Sequence, residues 1–160
     1  DEMAEVNLQY LSGHEIRANK TIFKGNDVVF ARIEPCIYNR KIALIPPEVD
    51  EALGSTELFV ARAKEGKALP EFLLWLLRSE LVQRQIQGHM TGTTGRRRLP
   101  PQAFTQLKFP KISLELQKDI AKECSHYRNR AKALRIEAQD DVETAKARVE
   151  RLILGEESLP

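Results

Sequence analysis

The spacing of apolar residues changes several times along the chain, and each change marks a predicted element. Val6, Leu8 and Tyr10 alternate as a strand does until Ser12-Gly13 breaks the run. Lys24-Gly25-Asn26-Asp27 is a turn, because Gly and Asn tolerate positive φ, and it leads into the apolar, β-branched stretch Val28 to Ile33. Glu34-Pro35 ends that strand, since proline supplies no ladder donor. Lys41 to Ile45, closed by Pro46-Pro47, and Leu58 to Ala61, after the turn at Gly54-Ser55, read as two further strands. Leu69-Pro70 starts a helix, with proline at the tolerated first position and Glu71 in the first turn. Leu69, Phe72, Leu73, Leu76, Leu77 and Leu81 follow the helical period, Trp75 flanks them, and Gly88 ends the run. This stripe reads as core packed on the sheet, with no cofactor implied. Pro101 to Leu107 is a short turn of helix, and Leu107 to Ile112 a last short strand with its lysines on one face.

From Ser113 the pattern changes. Ser113 is a good N-cap, neither Gly nor Pro occurs from Leu114 to Leu154, and Gly155 supplies the residue after the helix. Forty residues at about 1.5 Å each make a rod roughly 60 Å long. Leu116, Ile120, Cys124, Tyr127, Ala131, Leu134, Ala138, Val142, Ala145, Val149 and Leu152 recur at steps of three and four, a coiled-coil seam rich in small residues. The remaining surface is charged, so the helix needs a partner. The pattern therefore predicts an α+β fold, a small and mostly antiparallel sheet packed with a helix, followed by a long C-terminal coiled-coil helix. Residues 1–112 form the globular domain, 113–155 the helix and 156–160 a tail.

Composition narrows the function. The chain has 160 residues, 42% of them apolar, and 25 basic against 23 acidic residues give a net charge of +2, so any affinity for nucleic acid must come from a patch. Cys36 and Cys124 are far apart and lack a CxxC or flanking His, which argues for a reduced cytoplasmic protein without a disulfide framework or zinc site. The longest apolar run is too short for a membrane span, and no charged-then-apolar leader opens the chain. It starts at Asp1, as a processed or excised polypeptide would. His14, His89 and His126 are scattered without a supporting nucleophile, and Asp27, Glu34 and Lys41 resemble a nuclease arrangement only faintly, the turn role of Asp27 being the simpler explanation.

The patch is evident. From Leu81 to Leu114 there are six Lys and Arg and no Asp or Glu. Within it, Gly92-Thr93-Thr94-Gly95-Arg96-Arg97-Arg98 joins a turn to three guanidinium groups, the set that an anionic backbone requires. It is not a Walker A loop, since the spacing and the Lys-Ser/Thr ending are missing. The expected contacts are phosphate positioning by Thr93, Thr94 and backbone N–H groups, with Arg96, Arg97 and Arg98 positioning or reading guanine edges. A second basic cluster around the sheet contributes Arg17, Lys20, Arg32 and Lys41, and Tyr38-Asn39-Arg40 offers an aromatic, an amide and a guanidinium.

The ordered motifs resemble the DNA-specificity subunits of type I restriction-modification systems, over one target-recognition domain and its following helix. They are Lys24 to Pro35, Lys41 to Ile45, Ser55 to Leu58, Leu69 to Leu73, Thr91 to Arg96, and Phe109-Pro110-Lys111-Ile112 leading to Leu116-Gln117. The resemblance implies a non-catalytic prokaryotic protein that reads one half of a bipartite site in double-stranded DNA. Its helix would pair with a second recognition domain's helix or with a second copy through residues 114–154. It would dock methyltransferase subunits, and through the complex restriction subunits. S-adenosylmethionine, ATP and Mg are expected only in those partners, and no cofactor in this chain. In the resemblance, Gly92, Gly95 and Arg96 match the family loop, and Arg97 and Arg98 fall where members vary. The alternative is a coiled-coil protein-interaction scaffold with only non-specific DNA affinity.

Overall fold

The structure is a computed structural model and describes Val6, Leu8, Gln9 and residues 19–158. It comprises two compact units, Asp1–Lys122 and Glu123–Pro160. In the first unit, β2 (Asp27–Ala31) is the centre of a three-stranded antiparallel sheet of order β3-β2-β5, with β3 at Ile42–Leu44 and β5 at Leu58–Arg62. Val29 pairs with Ala43 on one side and Val60 on the other. Two strands escaped the sequence reading: β1 (Thr21–Phe23) and β4 (Ala52–Gly54) form a separate antiparallel pair. Each holds three residues and, unlike the equally short β3, neither lies in an apolar run closed by prolines. Val6 and Leu8 belong to no strand, and Tyr10, Ser12 and Gly13 lie outside the described residues.

Alternation along β2 divides the core. Val28 and Phe30 face Ile37, Ile42, Leu74, Leu77, Val82, Ile86, Leu99 and Ala103, whereas Val29 faces Phe23, Ala43 and Ile45 under the small second sheet. The turn into β2 requires Gly25, because a Cβ there would lie 2.4 Å from the Pro47 carbonyl oxygen. Asp27 is fully buried and accepts two hydrogen bonds from Arg62 (2.6 and 2.7 Å) and one from the Lys24 N–H (2.9 Å). Burial pushes its carboxyl pKa up, but these donors more than reverse that and hold it below the ordinary range.

The expected helix from Leu69 to Gly88 is two helices, α1 (Pro70–Arg78) and α2 (Glu80–Gln87). Ser79 breaks it at ψ 155°, its hydroxyl donating to the Leu76 carbonyl at 2.6 Å while its own carbonyl accepts the N–H groups of Val82 and Gln83. The break rotates the buried face, so Leu81 is 46% exposed and Val82 and Ile86 are buried in its place. Leu74, outside the expected stripe, is buried with Phe72 and Leu77. The short helix α3 (Pro101–Thr105) places Phe104 against Phe30 and Phe59, at centroid distances of 5.5 and 4.5 Å.

The last predicted strand, Leu107 to Ile112, does not form. The Gln85 side-chain amide satisfies the Lys108 backbone on both sides (N–H to Oε1 2.8 Å, Nε2 to carbonyl 3.0 Å), and Pro110 has no donor to give a ladder.

The long helix α4 (Leu114–Leu154) has the expected ends. Ser113 Oγ accepts the Leu116 N–H, and Gly155 and Glu156 donate to the carbonyls of Leu152 and Arg151, the pattern of a Schellman cap. In the first unit, Gln117 is buried and links three backbone groups: it accepts from the Leu69 N–H and donates to the carbonyls of Lys67 and Ile112. In the second, Leu134, Val142 and Val149 are each about half exposed. Among the described residues no helix is long and apolar enough to cross a membrane.

Candidate nucleic-acid interface

The basic loop is shaped by a carboxylate that the sequence places 61 to 63 residues away. As the chain leaves β2, the Glu34 N–H donates to the Arg97 carbonyl and the Leu99 N–H donates to the Arg32 carbonyl, stitching residues 32–34 to 97–99. Thr91 and Arg98 close the loop with reciprocal backbone bonds of 3.0 and 2.8 Å, and the Arg96 N–H donates to the Thr93 carbonyl. Gly92 and Gly95 stand at φ 110° and 81°, where a side chain would be strained.

Inside the closed loop lies Glu34, whose side chain is only 7% exposed. Its carboxylate accepts the N–H groups of Gly95 (3.2 Å) and Arg97 (3.4 Å) and pairs with the Arg97 guanidinium through Nε (2.9 Å) and Nη2 (2.6 Å). Hydrogen bonding from Arg97 outweighs burial and holds the Glu34 pKa below its usual range; Arg97 is raised in turn, chiefly by the same hydrogen bonds. Arg98 makes the equivalent pair with Glu57, its Nε and Nη2 both reaching the carboxylate at 2.8 to 3.0 Å. Glu57 is held by Ser55 Oγ, which accepts its N–H, and the Arg98 hydrogen bonds again lower its pKa against burial.

Of the expected contacts, Thr93, Thr94 and Arg96 are exposed at the loop tip, and Arg96 forms no ion pair among the described residues. Arg97 and Arg98 are 39% and 43% exposed and both paired. The backbone N–H groups of Gly95, Arg96 and Arg97 point into the loop, so they do not form an outward anion cradle. Arg32 lies beside the loop, its guanidinium 5.1 Å from the centre of the Phe59 ring and its buried Nε without a hydrogen-bond partner among the described residues. Tyr38 packs half-buried on the main core. Asn39 and Lys41 are exposed on the same connection, whereas Arg40 turns to α2 and pairs with Glu80 at 2.7 Å. Lys20 is exposed beside β1 with no hydrogen bond or ion pair to the loop among the described residues, and Arg17 lies outside them. Sequence reasoning missed Glu34 and Glu57 as parts of this site. The available signal was that each carboxylate closes or opens a strand and both face a long stretch with no acid of its own.

No family model matches the chain. It is 29% identical over 107 residues to the EcoAI specificity subunit of a type I restriction enzyme from Escherichia coli, covering 66% of this chain and 18% of that one. The Escherichia coli EcoEI specificity subunit is 28% identical over 97 residues, 60% of this chain and 16% of its own. Among solved structures, the HsdS subunit from Thermoanaerobacter tengcongensis superposes with a TM-score of 0.61 at 31% identity, over 78% of this chain and 32% of that one. A chain from a structure concerning complex assembly and conformational transition of the type I R-M system gives 0.58 at 30%, over 87% and 37%. The chain thus spans less than a fifth of the curated relatives it matches. Over these stretches the chain is similar to part of the specificity subunits of type I restriction enzymes.

Proposed function

We propose that the chain is a sequence-specific DNA-recognition module that reads one half of a bipartite site and organises methyltransferase subunits along its long helix. The observation that carries this is the exposed tip of residues 92–96, held rigid from below and set in a stretch without acidic residues. A rigid cationic turn offers phosphate contacts and fixed side-chain directions at once, which is what reading base edges demands. The chain itself performs no chemistry in this reading; methyl transfer and cleavage belong to partners that carry S-adenosylmethionine, ATP and Mg. The setting is the prokaryotic cytoplasm. The apolar stripe of α4 returns at Leu116, Leu134 and Leu152, a period of eighteen residues or five turns. It therefore runs parallel to the helix axis, and the partner helix lies along it with little supercoil. That partner is the helix of a second recognition domain or of a second copy.

The scaffold reading, with the helix as the function and only non-specific DNA affinity, draws support from the half-exposed Leu134, Val142 and Val149. Fluorescence anisotropy of the 160-residue chain with a duplex pool of randomised centre, with and without methyltransferase subunits, tests the proposal. Binding that falls steeply between about 50 and 200 mM salt is expected. No salt-sensitive binding under either condition refutes it.

A further inference from the structure

Three adjacent arginines invite the assumption that all three touch DNA, or that the two outside the family pattern do. The geometry divides them otherwise. We propose that Glu34 and Glu57 are positioning residues of the recognition loop: by holding Arg97 and Arg98 in internal ion pairs, they leave Arg96, with the hydroxyls of Thr93 and Thr94, to meet the DNA. The inference rests on the DNA-binding reading above and adds which groups touch the duplex and which set the loop's shape.

Glu34 is bound on both oxygens by four donors of the loop itself, two of them backbone. If Arg97 swung out to a phosphate, this carboxylate would stay behind, buried and without its cation, at a cost greater than an exposed arginine–phosphate pair returns. Arg98 is less enclosed, since Glu57 is 33% exposed. It is nonetheless tied at three points: Nε and Nη2 on Glu57, Nη1 on the Arg96 carbonyl, and its backbone on Thr91. Arg32 adds a second positive charge near Glu57, so the carboxylate neutralises part of a cationic cluster. Leu99, fully buried, fixes the far end of the loop in the core. Arg96 has none of these restraints, and its backbone is bonded to Thr93 across the turn. Of the three arginines, it alone carries an unrestrained guanidinium on a rigid mount.

The test uses opposite signs. Glu34→Gln and Glu57→Gln each remove a negative charge beside a cationic loop. If all three arginines act as bare charge, both variants bind every duplex more tightly. If the carboxylates position the loop, affinity for the duplex selected by the unaltered chain falls by roughly ten- to a hundredfold, the range of one lost base contact, while binding to scrambled duplex stays or rises. The double variant Glu34→Gln/Arg97→Gln replaces the ion pair by an amide pair and guards against a misfolded single variant. It should lose no more discrimination than Arg97→Gln alone, because the two residues act as one unit. Arg96→Ala should abolish selection, with a melting midpoint unchanged, and a variant that still selects the same duplex overturns the role given to Arg96. Tighter binding of the selected duplex by Glu34→Gln, or additive losses in the double variant, overturns this inference while leaving DNA recognition intact. Failure of the unaltered chain to select any duplex overturns both.

Discussion

Removing the Gln117 side chain should loosen the base of the long helix by an amount that can be worked out from its bonds. The residue is 3% exposed and makes three hydrogen bonds, at 3.0, 3.0 and 3.2 Å, to backbone groups that no secondary structure satisfies. Each such bond contributes about 1 kcal/mol net, and a buried group left unpaired costs a further ~1–3 kcal/mol. Lys67 is exposed and Leu69 and Ile112 only half-buried, so water re-solvates part of what Gln117→Ala uncovers. The expected loss is therefore about 2–4 kcal/mol, a fall of roughly 5–15 °C in melting midpoint for a chain of this length. Gln117→Glu separates donor from acceptor. An ionised carboxylate can still accept the Leu69 N–H but faces two carbonyls it cannot donate to, so it should be at least as damaging at pH 7. Its folded-state pKa would be raised, so the penalty is full above that raised value and shrinks as pH falls through it. Circular-dichroism melts at pH 7 and pH 5 measure both effects. A Gln117→Ala midpoint equal to that of the unaltered chain, or a Gln117→Glu variant insensitive to pH, would refute the reasoning.

Other consequences are simpler to state. Leu99→Ala should cost about 2–5 kcal/mol through the cavity it leaves between sheet and loop, read by urea denaturation, and should reduce DNA selection as the loop loses its anchor. Gly25→Ala forces a Cβ onto the Pro47 carbonyl and should destabilise by about 1–3 kcal/mol, measured in the same way. The carboxyls of Asp27, Glu34 and Glu57 all titrate below their ordinary values in the folded chain. The stability they confer is therefore complete above those ordinary values, 3.8 for Asp27 and 4.5 for the two glutamates, and is lost as pH falls through the lower folded values. Melts taken downward from pH 6 should show that loss, with a shallower slope in Glu34→Gln, which lacks one of the three groups.

How much of this was legible depended on the range of the cause. The ends of α4 were readable because Ser113 and Gly155 act within a few residues of themselves, and β2, β3 and β5 because an apolar run between turn residues is a local signal. The break at Ser79 was not, since serine makes the same bond to a carbonyl three residues back in unbroken helices, and what marks the break is the burial of Val82 and Ile86 in the main core. The false strand at Leu107 to Ile112 failed for a similar reason: its ladder partner is the side chain of Gln85. The site followed the same rule. That three arginines sit in an acid-free stretch is plain from composition, but which of them are already engaged depends on Glu34 and Glu57, 63 and 41 residues away in sequence. Pairing across such distances is set by the register of residues 32–34 on 97–99, which no periodicity encodes.

The central claim, that this chain reads DNA sequence through the tip of one rigid loop, is tested most directly by selection. The unaltered chain is incubated with a duplex pool of randomised centre, and the retained duplexes are sequenced. The account predicts enrichment of one short motif, consistent between replicates and lost in Arg96→Ala. Retained duplexes with the same sequence distribution as the starting pool would contradict it.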